Sequence, residues 1–150
     1  MSPEERIAEL GLELPEVAAP VASYQPSVRS GSYVYTSGQL PIVKGQLIAS
    51  GKVGQEIDTE RAAELAQICA LNAIAALKAQ VGDLSKVRQI VKVVGFVASA
   101  HDYYDQPVVI NGASDLLGKV FAGMHARSAV GVAVLPKNAP VEVELIAEVD

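Results

Sequence analysis

Residues 125–144 read HARSAVGVAVLPKNAPVEVE. Small and β-branched residues on both sides of LPKNAP suggest two strands, with Lys137-Asn138 placed where a turn would join them. The simplest reading is a C-terminal hairpin. Arg127 then heads a run as apolar as AVGVAVL, and a charge beside a buried strand is costly unless something pairs with it. In the hairpin register Arg127 lies opposite a residue near Glu148, and Glu142 lies opposite a residue near Ala133. About six strand positions, or roughly 20 Å, then separate Arg127 from Glu142. One small molecule could not touch both within a chain.

Upstream, DTERAAELAQICALNAIAALKAQVG (58–82) is the clearest helical segment. Asp58 or Thr59 can cap it, Glu60 sits in its first turn, and Gly82 stops it. Ala62, Leu65, Ala66, Cys69, Ala73 and Leu77 recur at helical spacing, and so much alanine permits close approach to a sheet. KVRQIVKVVGFVAS (86–99) is long and β-branched, which predicts a strand. Alternation places Gln89, Val91, Val93 and Gly95 on one face and Ile90, Lys92, Val94 and Phe96 on the other. A second helix is expected from about Asp105 to Phe121, with Pro107 in its first turn and Val108, Leu116, Leu117 and Val120 as its apolar positions.

The opening SPEERIAELG predicts a short helix capped by Ser2, entered through Pro3 and stopped by Gly11. LELPEVAAP follows as an extended connector. Strands are expected around 21–28 and 33–37 with RSG as the turn between them, and VKGQLIASGKVG (43–54) reads as an irregular hairpin or loop. The whole is an α+β domain spanning 1–150, with residues 1–19 as helix and connector and 20–149 as core. Two main helices cover one face of the sheet. The other face also alternates apolar residues, so a partner subunit is the expected lid.

Composition excludes several classes. A net charge of −5 and scattered Lys and Arg argue against nucleic acid as a partner. Cys69 is the single cysteine, which fits a reducing compartment and forbids an internal disulfide. The N-terminus lacks an apolar signal core, and the charge-free stretch of the long helical segment, Leu65–Leu77, has 13 residues, short for a bilayer span. A cytoplasmic protein with no membrane attachment is expected. His101 and His125 are the only histidines, and no cluster has metal-ligand spacing, so no metal site is expected. Ser37 has no His–Asp company for a hydrolase triad, and the glycines of SGQ and NGAS do not form a phosphate-binding loop.

Three stretches, in order, carry a resemblance: YVYTSGQLP (33–41), VINGASDLLGKVF (109–121) and HARSAVGVAVLPKNAPVEVELIA (125–147). Over roughly residues 20–149 the chain resembles the YjgF/RidA family of reactive-intermediate enamine/imine deaminases, whose members resemble chorismate mutase in fold and assemble as trimers with a cleft at each subunit interface. The resemblance implies that Arg127 binds a substrate carboxylate, with the backbone amide of Gly38, next to Ser37, beside it. It also implies that Tyr24 and Asn111 line the pocket and that Glu142 stands near the attacking water. Many members carry cysteine where this chain has Ala129, which removes a thiol contact. The 42–55 loop and the N-terminal helix are longer than in the shorter members.

The chemistry that follows suits these residue types. Arginine's planar fork gives a carboxylate two parallel hydrogen bonds and stays protonated. A 2-imino or 2-enamino acid presents such a carboxylate beside an electrophilic carbon. A glutamate can deprotonate the water that adds there and return the proton to the departing nitrogen. The C=N bond is already activated, so neither metal nor organic cofactor is expected. If Arg127 and Glu142 serve one site, they come from different subunits of the expected homotrimer.

Blander readings stand beside these. Arg127 could form a structural ion pair, for example with Glu148 in its own hairpin. Glu142, Glu144 and Glu148 alternate as a solvated strand face would, Asn111 could be an ordinary exposed helix residue, and Tyr24 could be simple packing. Cys69 falls on an apolar stripe and reads as inert core. A non-catalytic binder of small carboxylates, such as 2-keto acids, is the alternative to a deaminase. Ribonuclease activity is the weakest reading because the chain is acidic and has no basic groove.

Overall fold

The computed structural model describes residues 1–17 and 23–150. Helix α1 spans Pro3–Glu9 and carries a full capping box, with the Ser2 hydroxyl accepting from the Glu5 amide and the Glu5 carboxylate accepting from the Ser2 amide. Strands β1 (Ser27–Ser30) and β2 (Tyr33–Thr36) form a hairpin that turns at Gly31. The first predicted strand therefore starts later than expected, and its first two positions, 21 and 22, lie outside the described residues. The predicted irregular hairpin is a small one, β3 (Ile42–Val43) with β4 (Gln46–Leu47). Both of its turn residues, Lys44 and Gly45, have positive φ, as a tight two-residue loop requires.

Helix α2 runs Thr59–Val81 with the Asp58 side chain accepting from the Arg61 amide, and it ends at Gly82 with φ +82°. All six residues of its predicted apolar stripe are buried. By length and composition α2 could cross a membrane once its two ends are included, but most of that stretch is buried inside the fold. Strand β5 spans Val87–Ala98, helix α3 Gln106–Val120, strand β6 Ala126–Val132 and strand β7 Val141–Val149.

Five of the strands form one sheet in the order β1-β2-β7-β5-β6, in which the β5–β6 pairing is parallel and the others antiparallel. This overturns the C-terminal hairpin. β6 does not pair with β7, because β5 lies between them and bonds to both. The physical reason lies in the connections. β5, α3 and β6 make a strand–helix–strand crossover, whose return strand is parallel and adjacent to the first. The chain then passes over the end of β5 through residues 133–140, where Lys137 and Asn138 do adopt left-handed φ of 60° and 59°. The Ala98 amide donates to the Pro140 carbonyl and the Gly51 amide to the Asn138 carbonyl, tying that crossing to its neighbours. The turn was read correctly, but it bridges two inter-strand spacings, roughly 10 Å, rather than one.

A bulge in β5 overturns the second expectation. Ile90 pairs with Ala147 but Lys92 pairs with Ile146, so Val91 is an extra residue and the alternation changes phase. Ile90 therefore joins Val93, Gly95 and Val97 on the buried face, whereas Gln89 joins Lys92, Val94 and Phe96 on the other. Helices α2 and α3 cover the buried face, with α2 over β1, β2 and β7 and α3 over β5 and β6. The two helices meet at Gly112, where an added Cβ would collide with the Ala63 carbonyl oxygen. Val108, expected among the apolar contacts of α3, is exposed instead, immediately before the buried Val109 and Ile110. Among the described residues the opposite sheet face has no helix over it, and Val28, Tyr33, Tyr35 and Val130 are exposed there.

Candidate active site

Arg127 is the second residue of the edge strand β6 and pairs with Val93, a residue of the helix-covered face. Its half-buried side chain therefore points toward α3. Its Nη1 donates to Asn111 Oδ1 at 2.8 Å and to Ser114 Oγ at 3.3 Å. Asn111 and Ser114 are three apart on α3, so they present both acceptors on one face of the helix. Among the described residues no carboxylate lies within ion-pair distance of the guanidinium. The ion pair considered with Glu148 does not form. Glu148 projects from the other sheet face and accepts from Gln89 Nε2 at 3.0 Å.

Asn111, Ser114, His125 and Arg127 line an open groove of about 420 Å³ together with Asp115, Lys119 and Met124. His125 Nε2 lies 2.9 Å from Ser114 Oγ. Burial, and then the charge of Arg127, hold the His125 pKa below its ordinary value. Ser114 and His125 did not emerge from the sequence as site residues. The available signal was their spacing to residues that did: Ser114 follows Asn111 by one helical turn, and His125 precedes Arg127 by one strand repeat.

The remaining expected site residues gather elsewhere. Gly38 follows β2 and approaches β7 so closely that a Cβ there would collide with the Glu142 carboxylate. The Gln39–Val143 bridge sets this approach, with each amide donating to the other's carbonyl. The buried Asn72 of α2 donates to the carbonyls of Leu40 and Ile42 and so holds the segment that follows. Ser37 donates its hydroxyl to the Gln25 carbonyl at 2.6 Å, which fixes the segment carrying the exposed Tyr24. Among the described residues the Gly38 amide donates to no protein group. Glu142 is half-buried, and desolvation first, then its like-charged neighbour Glu144, raise its pKa. Ala129 lies on the helix-covered face two residues beyond Arg127 and packs partly against the core.

The structure thus brings Arg127 and Asn111 together, and separately Gly38, Ser37 and Glu142. It does not bring the two groups together within one chain. Cys69 is fully buried with its pKa raised by desolvation, as expected of an inert core thiol. Among the described residues no group of three His, Cys, Asp or Glu could hold a metal ion.

Comparison with known proteins agrees with the fold. The family model described as "YjgF/chorismate mutase-like, putative endoribonuclease" matches residues 4–149. Protein TCP17 of Trypanosoma cruzi is 40% identical over 147 residues, covering 96% of this chain and 92% of its own. The 2-iminobutanoate/2-iminopropanoate deaminase of Salmonella typhimurium is 31% identical over 129 residues, covering 86% and 89%. Among solved structures, the protein Atu1372 of Agrobacterium tumefaciens, of unknown function, superposes with a TM-score of 0.92 at 46% identity, covering 99% of this chain and 92% of that one. With its sheet, its helices and nearly its whole length matched, this chain belongs to the YjgF/chorismate mutase-like family.

Proposed function

We propose that the protein hydrolyses small 2-imino and 2-enamino acids, of the 2-aminoacrylate type, to 2-keto acids and ammonia. The observation that carries this reading is the state of Arg127. It is half-buried and held by two neutral acceptors, so its full charge is left for an incoming carboxylate in an open groove. With the carboxylate held by Arg127, water adds to the C=N carbon of the imino acid, the form an enamino acid takes once a proton moves from its nitrogen to its terminal carbon. Glu142 accepts the proton from that water, which its raised proton affinity favours, and returns a proton to nitrogen as the C–N bond breaks. The unengaged amide of Gly38 supplies a donor beside Glu142.

Arg127 and Glu142 act in one site only if two copies of the chain supply them. We therefore infer a homotrimer in which the uncovered sheet faces pack together and the Gly38–Glu142 group of one copy closes on the Arg127 groove of the next. The exposed Val28, Tyr33, Tyr35 and Val130 support such burial. The naming of a 31%-identical relative as an iminobutanoate/iminopropanoate deaminase supports the reaction class.

The decisive assay couples the purified protein to a dehydratase that releases 2-aminoacrylate and follows keto-acid formation. Wild type is expected to accelerate it and Arg127→Ala to lose the acceleration. Equal rates would overturn the catalytic reading, and saturable binding of 2-oxobutanoate without turnover would replace it with a carboxylate-binding role.

A further inference from the structure

The Arg127 groove contains a hydrogen-bonded chain that the proposed reaction does not use. Arg127 Nη1 donates to Ser114 Oγ, and Ser114 Oγ lies 2.9 Å from His125 Nε2. A guanidinium has no lone pair to accept with, so Ser114 must direct its own proton elsewhere. With His125 neutral and its proton on Nδ1, Nε2 is the acceptor, and the chain runs in one direction from guanidinium to hydroxyl to imidazole. In that state the Ser114 proton is spent on His125.

Protonation of His125 reverses the last link. Nε2 then donates to Ser114 Oγ, which already accepts from Arg127, and the hydroxyl proton must turn outward into the groove. A carboxylate seated on Arg127 would meet two donors there, the guanidinium and the Ser114 hydroxyl, with the imidazolium charge behind the hydroxyl. The empty groove disfavours this state, because burial and the Arg127 charge both oppose a second cation. An anion between them removes the second objection.

We propose that Ser114 and His125 form a proton-coupled part of the carboxylate site, so that binding of a small carboxylate at Arg127 is accompanied by protonation of His125 and by a turn of the Ser114 hydroxyl toward the ligand. His125 is on this account a positioning residue, acting on the ligand through Ser114. The inference rests on the carboxylate-binding role of Arg127. The other charged groups facing His125 are few. Asp115 and Lys119 line the groove from α3, and Lys92 on β5, paired with Ala126, belongs to the opposite sheet face. Arg127 stays protonated throughout, so the proton cannot come to rest there.

Calorimetric titration of the full-length protein with 2-oxobutanoate, in buffers of different ionisation enthalpy, measures the proton uptake directly. Wild type is expected to take up a fraction of a proton near pH 6.5. Its affinity should fall about tenfold from pH 5 to pH 8 for each pKa unit by which the ligand raises His125. His125→Gln and Ser114→Ala should still bind, with uptake lost in the first and reduced in the second. Glu142→Gln separates any proton taken up at that carboxylate and should leave the His125 component in place. Uptake that is absent in wild type, or unchanged in His125→Gln, overturns the proposal. If wild type does not bind the keto acid at all while Arg127→Ala behaves identically, the carboxylate role of Arg127 fails instead, and the two failures are told apart.

Discussion

Arg127 and Glu142 project from opposite faces of the same sheet. Arg127 shares a row with Val93 of the helix-covered face, and Glu142 shares a row with Phe96 of the uncovered one. Three rows along and two strands across, their Cα atoms are roughly 14 Å apart by sheet geometry. The hairpin register placed them farther apart and on adjacent strands. The true arrangement separates them by orientation as well as distance, so a site using both must draw them from two copies.

Complementation tests that arrangement. Arg127→Ala and Glu142→Ala are each expected to abolish deaminase activity. Unfolding the two together and refolding them as an equal mixture should recover activity, because some interfaces then pair an intact Arg127 with an intact Glu142. Random assembly gives about one quarter of wild-type sites in a cyclic homo-oligomer with heterologous interfaces. No recovery, with both variants shown to be folded and assembled, would place the site within one chain.

Gly38→Ala introduces a methyl group where the Glu142 carboxylate now lies. The carboxylate is the far end of a flexible side chain and can move, so the fold should tolerate the change within about 1 kcal/mol. The displaced base should not be tolerated by the chemistry. A fall in kcat of tenfold or more with Tm nearly unchanged is expected, measured by coupled assay and thermal melt.

Glu142→Gln separates stability from activity through pH. The folded pKa of Glu142 lies above its unfolded value, so the folded state binds the proton more tightly. Its carboxylate therefore destabilises the fold above the raised pKa, and that penalty disappears as pH falls below the ordinary glutamate value. The glutamine variant should melt higher than wild type at pH 7, and the gain should vanish on acidification. Its activity should be lost at every pH. In wild type, kcat should fall as pH drops through the raised pKa, because the base becomes protonated. A variant melting lower than wild type at pH 7 would contradict this.

Asn72→Ala removes the amide that donates to the part-buried carbonyls of Leu40 and Ile42. Leu40 keeps a bond from the Ile42 amide, so one acceptor loses its partner, at a cost of about 1–3 kcal/mol. A fall in unfolding free energy of that order is expected from a denaturant melt. Hydrogen exchange should accelerate in residues 37–43, because the Gly38 segment loses its anchor to α2.

Gly112→Ala forces α3 away from α2, because the colliding atom is the backbone oxygen of Ala63 and not a side-chain tip. Overpacking of this kind costs about 1–3 kcal/mol. Since α3 carries Asn111 and Ser114, KM should rise alongside the loss of stability.

Local signals carried the helices. Ser2 with Pro3, Asp58 with Gly82, and the alanine-rich stripe of α2 are signals local to their helices, so the bounds could be read directly. The position of the turn at Lys137-Asn138 was legible for the same reason, though not the strands it joins. Three order-specific stretches sufficed to suggest the family, and with it Arg127, Asn111, Gly38 and Glu142. Strand partners were another matter. A turn records that the chain reverses, but not whether another strand has been laid in the gap, and β5 occupies that gap through contacts with both neighbours. Nor does strict alternation announce a bulge such as Val91, which exchanged the faces of Gln89 and Ile90 because pairing with Ala147 buried the isoleucine. Ser114 and His125 escaped notice on similar grounds: neither is unusual alone, and only the packing of α3 against the start of β6 sets Ser114 between the guanidinium and the imidazole. Periodicity and capping are properties of neighbouring residues, whereas a site is a property of distant ones brought within 3 Å, and long-range packing energy alone makes that choice.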